Sequence, residues 1–262
     1  QIDKVRSPNS IISSNTSTIP LSILTQEMSD SMKADFCITH FFNPVRFMRL
    51  LEIVETPTMN KDKMGGLRDF CKNELGKGIV NCNDTPGFIG NRIGVYAMQV
   101  AMYEALERGL PVEIADALFG RPLGIPKTGV FGLYDLIGID LMKDVLASFK
   151  KELQENDPFM DVVAPHPLVE KLLEKGFNGN KGPGGFYQTT IVDDDEIVKA
   201  MNTSDMSYYD FDKVDLEIAR RVEKEGIKAL LDDDSEYGRY AFAVLAKIIN
   251  YSAFCIPEVS SK

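Results

Sequence analysis

Asp35-Phe36-Cys37-Ile38-Thr39-His40 reads as a β-strand, and Arg49-Leu50-Leu51-Glu52-Ile53-Val54-Glu55 reads as the next one. Between them Asn43-Pro44 marks a turn that would fold the second strand back beside the first. Upstream, Ser10-Ile11-Ile12-Ser13 forms a short buried strand that ends at Asn15-Thr16-Ser17. Downstream, residues 60–75 are helical in pattern and Gly78 to Cys82 supplies a fourth strand. Strands separated by helical segments place the first third of the chain in the α/β class.

The pattern changes at Asp84-Thr85-Pro86, where Thr85 is expected as N-cap and Pro86 at the first helical position. The helix is predicted to run to Arg108, with Ile89, Ile93, Tyr96, Val100 and Tyr103 on one face and Gly109 as its stop. Further helices are expected over 113–119, 139–154 and 167–175, so residues 85–190 read as an all-α part. Asp193-Asp194-Asp195-Glu196 opens a polar stretch that reads as a solvated acidic linker. Two more helices are expected over 215–231 and 235–252, the last carrying Ala241, Leu245, Ile248 and Ser252 on one stripe that needs a partner surface.

Composition narrows the function classes. The 262 residues are 44% hydrophobic and 26% charged, values of an ordinary globular protein. Twenty-nine basic against 39 acidic residues leave a net charge of −10, which argues against nucleic acid as a partner but not against a locally bound anionic ligand. No apolar run is long enough for a membrane span. The four cysteines have no C-x-x-C spacing and read as reduced, buried thiols, consistent with the cytoplasm. The two histidines, His40 and His166, have no Cys or carboxylate at ligand spacing, so no metal site is assigned. A G-x-S-x-G elbow, a phosphate loop and a G-x-G-x-x-G fingerprint are all absent from the sequence.

One pair of residues carries chemistry. His40 ends its strand, and Glu52 lies twelve residues on in the strand that the turn folds back, so the two side chains are placed to meet. A carboxylate bonded to one imidazole nitrogen fixes the tautomer and frees the other nitrogen to act as a general base. An ordinary buried His–Glu pair is the other reading of the same spacing.

His40-Phe41-Phe42-Asn43-Pro44, Glu52-Ile53-Val54 and Asp84-Thr85-Pro86-Gly87-Phe88-Ile89-Gly90-Asn91-Arg92 resemble successive signatures of the L-3-hydroxyacyl-CoA dehydrogenase family. Ser14-Asn15-Thr16-Ser17 fits the same pattern, and Leu123 to Pro126, Gly132 to Asp135 and Gly185-Phe186-Tyr187 extend it over roughly seven-tenths of the chain. The resemblance implies a partial Rossmann fold over residues 1–84, followed over 85–190 by an all-α C-terminal domain like that of 6-phosphogluconate dehydrogenase. It implies NAD-dependent oxidation of a 3-hydroxyacyl-CoA to the 3-ketoacyl-CoA in fatty-acid β-oxidation, with NAD as cofactor, an acyl-CoA as substrate and a homodimer formed through the helical domain. His40 then matches the catalytic base and Glu52 its partner; Ser17 matches a contact to substrate and nicotinamide, and Asn91 a substrate-orienting amide. Asn43 and Lys181 match contacts to the dinucleotide.

Each of these residues also has a plainer role: Ser17 as a turn hydroxyl, Asn91 as an exposed helix residue, Asn43 as a turn starter. Around Lys181 the sequence departs from the family, which usually carries a Thr where Gly182 and Pro183 stand. Asp116 and Asp135 read as exposed or capping carboxylates, and His166 as a turn residue. The family's opening unit, about 30 residues with the glycine-rich turn and an acidic ribose anchor, has no match here. The chain is therefore expected to be a piece that binds NAD poorly and leaves a sheet edge open. Met201-Asn202, Asn250-Tyr251-Ser252 and Ile256-Pro257-Glu258 resemble longer, multidomain members, so residues 191–262 are expected to hold the acidic linker and the start of a second helical dehydrogenase-type domain. Two alternatives stay open: a non-catalytic dimerisation or docking module, and an NAD enzyme of another hydroxy acid on the same architecture.

Overall fold

The computed structural model describes residues 1–123, 125, 127–193, 195–212, 214–256 and 258–260. Gly124 and Pro126 of the Leu123–Pro126 motif, Asp194 of the acidic run and Pro257 lie outside the described residues. The chain forms two compact units, one of Gln1–Gly94 with Ser252–Lys262 and one of Val95–Tyr251.

The first unit is built on a four-stranded sheet of β1 (Ile12–Ser14), β2 (Phe36–Phe41), β3 (Leu50–Glu55) and β4 (Gly78–Cys82), in that spatial order. β1 runs parallel to β2, β3 antiparallel to β2, and β4 parallel to β3. The carboxyl ends of β1 and β2 and the amino ends of β3 and β4 therefore share one edge. Alternation assigns the faces. On one, Phe36, Ile38, Val54 and Cys82 pack with Leu21 of the short helix α1 (Leu21–Leu24) and with Phe88. On the other, Cys37, Leu51 and Ile53 pack with Met64 and Cys71 of α3 (Lys61–Asn73). Asn60 caps α3 by accepting from the amides of Asp62 and Lys63, both at 3.1 Å. The short helix α2 (Asp30–Lys33) is capped in the same way by Ser29.

The long helix α4 (Gly90–Glu107) carries the chain from one unit into the other. It begins four residues later than Pro86, the start that the proline signal predicts. Residues 86–89 are turn, with Gly87 at φ 72° and Phe88 at φ 49°, and the buried Thr85 hydroxyl has no hydrogen-bond partner among the described residues.

In the second unit α5 (Val112–Leu118), α6 (Phe131–Ile137), α7 (Ile139–Glu152) and α8 (Pro167–Glu174) follow α4. α6 lies where the sequence analysis places no helix, and His166 is the N-cap of α8, its Nδ1 accepting from the Leu168 amide at 3.1 Å. The stretch expected to be an acidic linker is instead a three-stranded antiparallel sheet of β5 (Tyr187–Val192), β6 (Asp195–Met201) and β7 (Tyr208–Asp210). Val192 pairs with Asp195, so β5 and β6 form a hairpin with Asp195 and Glu196 in β6, and Asp193 takes the positive φ of 50° that tight hairpin turns require. The expected helix over 215–231 is two, α9 (Glu217–Glu225) and α10 (Lys228–Leu231), divided at Gly226 with φ 81°.

The last helix, α11 (Glu236–Cys255), packs through other residues of its length on α4. Tyr251 stacks on Tyr96 of α4 at 3.9 Å, the Tyr240 hydroxyl donates to the Ala101 carbonyl, and Lys247 pairs with Glu104 at 2.7 Å. Residues 191–251 thus belong to the second compact unit. The boundary between units falls at Gly94/Val95, ten residues beyond the expected 84/85.

Candidate active site

The strand register builds the site. In the antiparallel β2–β3 pair His40 lies directly opposite Glu52, so both side chains leave the sheet on one face as cross-strand neighbours. His40 Nδ1 stands 2.7 Å from Glu52 Oε2. Glu52 is 0% exposed, and a carboxylate so completely removed from water must be compensated by donors. It is: Oε1 accepts from the amides of Ile89 at 3.0 Å and Gly90 at 2.6 Å. These are N–H groups at the start of α4, where the helix itself has no acceptors for them and its dipole favours negative charge. With one oxygen engaged by two amides, the other accepts the Nδ1 proton of His40. The imidazole is thereby held in the tautomer whose Nε2 carries a lone pair, which is the arrangement a general base needs.

Local backbone geometry aims those amides. Gly87 and Phe88 in succession at positive φ swing the chain so that residues 89 and 90 face Glu52. For Phe88 that conformation costs on the order of 1–3 kcal/mol and persists only where the surroundings dictate it; its side chain is wholly buried in the sheet's core. Gly90 is required by space. A Cβ there would collide with the Phe42 ring and come within 3.3 Å of Glu52 Oε1. Phe42 in turn packs on the His40 imidazole with ring centroids 4.5 Å apart, and Phe88 approaches it at 6.0 Å. Phe42 thus fills the space between the imidazole and the start of the helix.

Of the other residues singled out from the sequence, Ser17, Asn43 and Asn91 belong to the same unit. The Ser14–Ser17 loop leaves the carboxyl end of β1 on the edge where His40 stands, and Asn15 Oδ1 ties it there by accepting from the Phe41 amide at 2.9 Å. Ser17 is half-buried, and among the described residues no hydrogen bond engages its hydroxyl. Asn91 is half-buried in the first turn of α4, next to the Gly90 amide that holds Glu52. Asn43 is exposed in the β2–β3 connection. Lys181 lies in the second unit, exposed, with its ammonium beside Gly138 and Asp140.

Two carboxylates that read as exposed or capping are buried. Asp116 does cap, but from inside: it accepts from the Phe131 amide at 2.7 Å, the Gly132 amide at 2.9 Å and the Tyr187 hydroxyl at 2.9 Å. Burial pushes its carboxyl up to about 7, although those donors pull the other way. Asp135 accepts from the Phe186 and Tyr187 amides at 3.0 and 2.7 Å, and burial raises it to about 6. Desolvation likewise raises the Tyr187 phenol, aided by the Asp116 charge, so it stays a donor.

Residues 1–85 match the family model described as the NAD-binding domain of 3-hydroxyacyl-CoA dehydrogenase, and residues 87–189 match that of its C-terminal domain. The chain belongs to the 3-hydroxyacyl-CoA dehydrogenase family. A Rickettsia felis protein named for the trifunctional enzyme of a fatty acid oxidation complex is 38% identical over 252 residues, 96% of this chain and 34% of that protein. A Bacillus subtilis (strain 168) protein named for 3-hydroxyacyl-CoA dehydrogenase is 32% identical over 264 residues, 99% of this chain and 33% of its own length. The crystal structure of 3-hydroxybutyryl-CoA dehydrogenase from Escherichia coli K12 superposes with a TM-score of 0.60 at 29% identity, covering 71% of this chain and 38% of that one. The chain therefore spans about a third of the length of these curated relatives. The two family models meet at residues 85 and 87, close to the change of pattern in the sequence, and the Rossmann-type part followed by a helical part is the expected fold.

Proposed function

We propose that the protein oxidises an L-3-hydroxyacyl-CoA to the 3-ketoacyl-CoA with NAD. The observation that carries this reading is the 2.7 Å contact between His40 Nδ1 and Glu52 Oε2, which leaves Nε2 free to take a proton. His40 Nε2 accepts the proton of the 3-hydroxyl as the O–H bond breaks and the C3–O bond becomes a carbonyl. Glu52, its charge secured by the Ile89 and Gly90 amides, stabilises the resulting imidazolium. Bound NAD supplies the acceptor for the hydride that leaves C3.

The residues present fit the reacting end of that dinucleotide. The Ser14–Ser17 loop lies at the carboxyl ends of the parallel strands β1 and β2, where open α/β sheets bind their ligands, and among the described residues the Ser17 hydroxyl there has no hydrogen-bond partner. In this reading Ser17 contacts substrate and nicotinamide, Asn91 orients the substrate, and Asn43 and Lys181 contact the dinucleotide. A homodimer formed through the helical unit is part of the proposal, checked by sedimentation equilibrium. So is a cytoplasmic location, which four buried cysteines outside any disulfide support.

The test is His40→Gln in the protein expressed from its full open reading frame, assayed for oxidation of 3-hydroxyacyl-CoA. Loss of a general base lowers turnover by about 10²- to 10⁴-fold. Near-normal turnover would remove His40 as the base.

A further inference from the structure

We propose that Lys77, a residue neither strand nor helix of the catalytic pair contains, is a positioning residue of the His40–Glu52 site. The proposal rests on the reading of that pair given above. Lys77 is 8% exposed, and its ammonium donates to the Val45 carbonyl at 2.5 Å and the Met48 carbonyl at 2.8 Å, while standing 5.7 Å from the centre of the Phe41 ring. Its neighbour Gly78 donates its amide to the Arg49 carbonyl at 2.7 Å. The start of β4 thus grips three carbonyls of the connection that joins the strand of His40 to the strand of Glu52.

Other backbone bonds of that connection are internal to it, the Phe47 and Met48 amides donating to the Pro44 carbonyl at 2.9 and 3.0 Å. Val45 is 43% exposed, Phe47 77% and Met48 36%, so its apolar side chains contribute little burial to keep it in place. Among the described residues no carboxylate pairs with Lys77. A cation taken from water and balanced only by carbonyl dipoles and an aromatic face is a costly way to fasten a surface loop, unless the loop's position matters. The connection begins with Phe42, whose ring lies against the imidazole of His40 and fills the space kept open by Gly90. Displacing the connection therefore displaces the wedge between the imidazole and the amides that hold Glu52. Lys77 acts through Phe42 and touches no reacting atom.

The experiment is a double-mutant cycle of Lys77→Met and Phe42→Leu, read at His40 by the rate at which its Nδ1 proton exchanges with solvent in nitrogen-edited NMR. With only two histidines in the chain, the ring carbon-bound proton shifts of His166, whose Nδ1 accepts the Leu168 amide, serve as the internal control. Each single substitution should speed exchange at His40 and leave His166 unchanged, and the double variant should be no faster than the faster single, because both act along one route. In the full-length protein Lys77→Met should lower kcat by about 10- to 100-fold with KM for the acyl-CoA unchanged, the loss expected from a misplaced catalytic group, and Lys77→Arg should restore part of it. A purely structural lysine would instead lower the melting temperature while leaving exchange at His40 and kcat as they are. That result, or independent additive effects of the two substitutions, would overturn the proposal. If Lys77→Met does not fold, Phe42→Leu alone decides: unchanged exchange at His40 removes the route. Because exchange is read without turnover, its failure counts against Lys77 and not against the oxidation itself.

Discussion

Glu52 in the first unit and Asp116 in the second are built alike and do different things. Each is a buried carboxylate that holds two amides at the start of a helix, Ile89 and Gly90 before α4 in one case, Phe131 and Gly132 at α6 in the other. What distinguishes them is the remaining acceptor position. Asp116 fills it with the phenol of Tyr187, which burial keeps protonated, so the assembly only fastens β5 to α6. Glu52 fills it with an imidazole whose second nitrogen is left free, so the same device holds a group that can take a proton. A helix N-terminus that stabilises a carboxylate is thus a structural part, and in the proposed reaction it would become a catalytic one through the partner on the other oxygen.

The contrast can be broken by substitution at either carboxylate. Glu52→Gln removes the charge that stabilises the imidazolium and turns an amide nitrogen toward one set of donors, so turnover of the full-length protein should fall by about 10²- to 10⁴-fold. Asp116→Asn should leave turnover as it is, and an equal loss in the two variants would erase the distinction. Gly90→Ala forces a methyl group against Phe42 and Glu52 and should destabilise the first unit by about 1–3 kcal/mol, measured by denaturant titration.

The pH dependence of stability sharpens the comparison. The carboxyl of Asp116 rises from an ordinary 3.8 to about 7 on folding. Between roughly pH 4 and 7 the folded chain keeps a proton that the unfolded chain has released, so this contribution is complete below the window and is lost as pH rises through it. Asp135 acts in the same sense up to about 6. Asp116→Asn should therefore flatten the fall in stability across this range, by up to about 1.4 kcal/mol per pH unit. The smallest effect is expected at His166, whose replacement by Ala removes an N-cap and should cost about 1 kcal/mol of thermal stability.

What could be read in advance follows from where the information resides. β2, β3 and their pairing are legible because burial on both faces forces apolar runs, and Asn43-Pro44 announces the reversal that sets His40 against Glu52. The grip of Ile89 and Gly90 on Glu52 is not legible, because backbone amides leave no mark in side-chain pattern; Gly87 and Gly90 were the available hints. Pro86 points to a helix start that the positive φ of Gly87 and Phe88 delays. The acidic run has the composition of a linker, but a hairpin tip draws on the same polar residues, and only the pairing of β5 with β6 separates the two. Asp116 and Asp135 give no sign of burial because their partners are amides far away in sequence.

The most direct measurement of the central claim is the tautomeric state of the two imidazoles by long-range nitrogen–proton NMR at neutral pH. His40 is expected in a single form, protonated on Nδ1 with Nε2 bare, and His166 in the opposite form, because its Nδ1 accepts the Leu168 amide. A His40 signal protonated on Nε2, or averaged between both forms, would contradict the account.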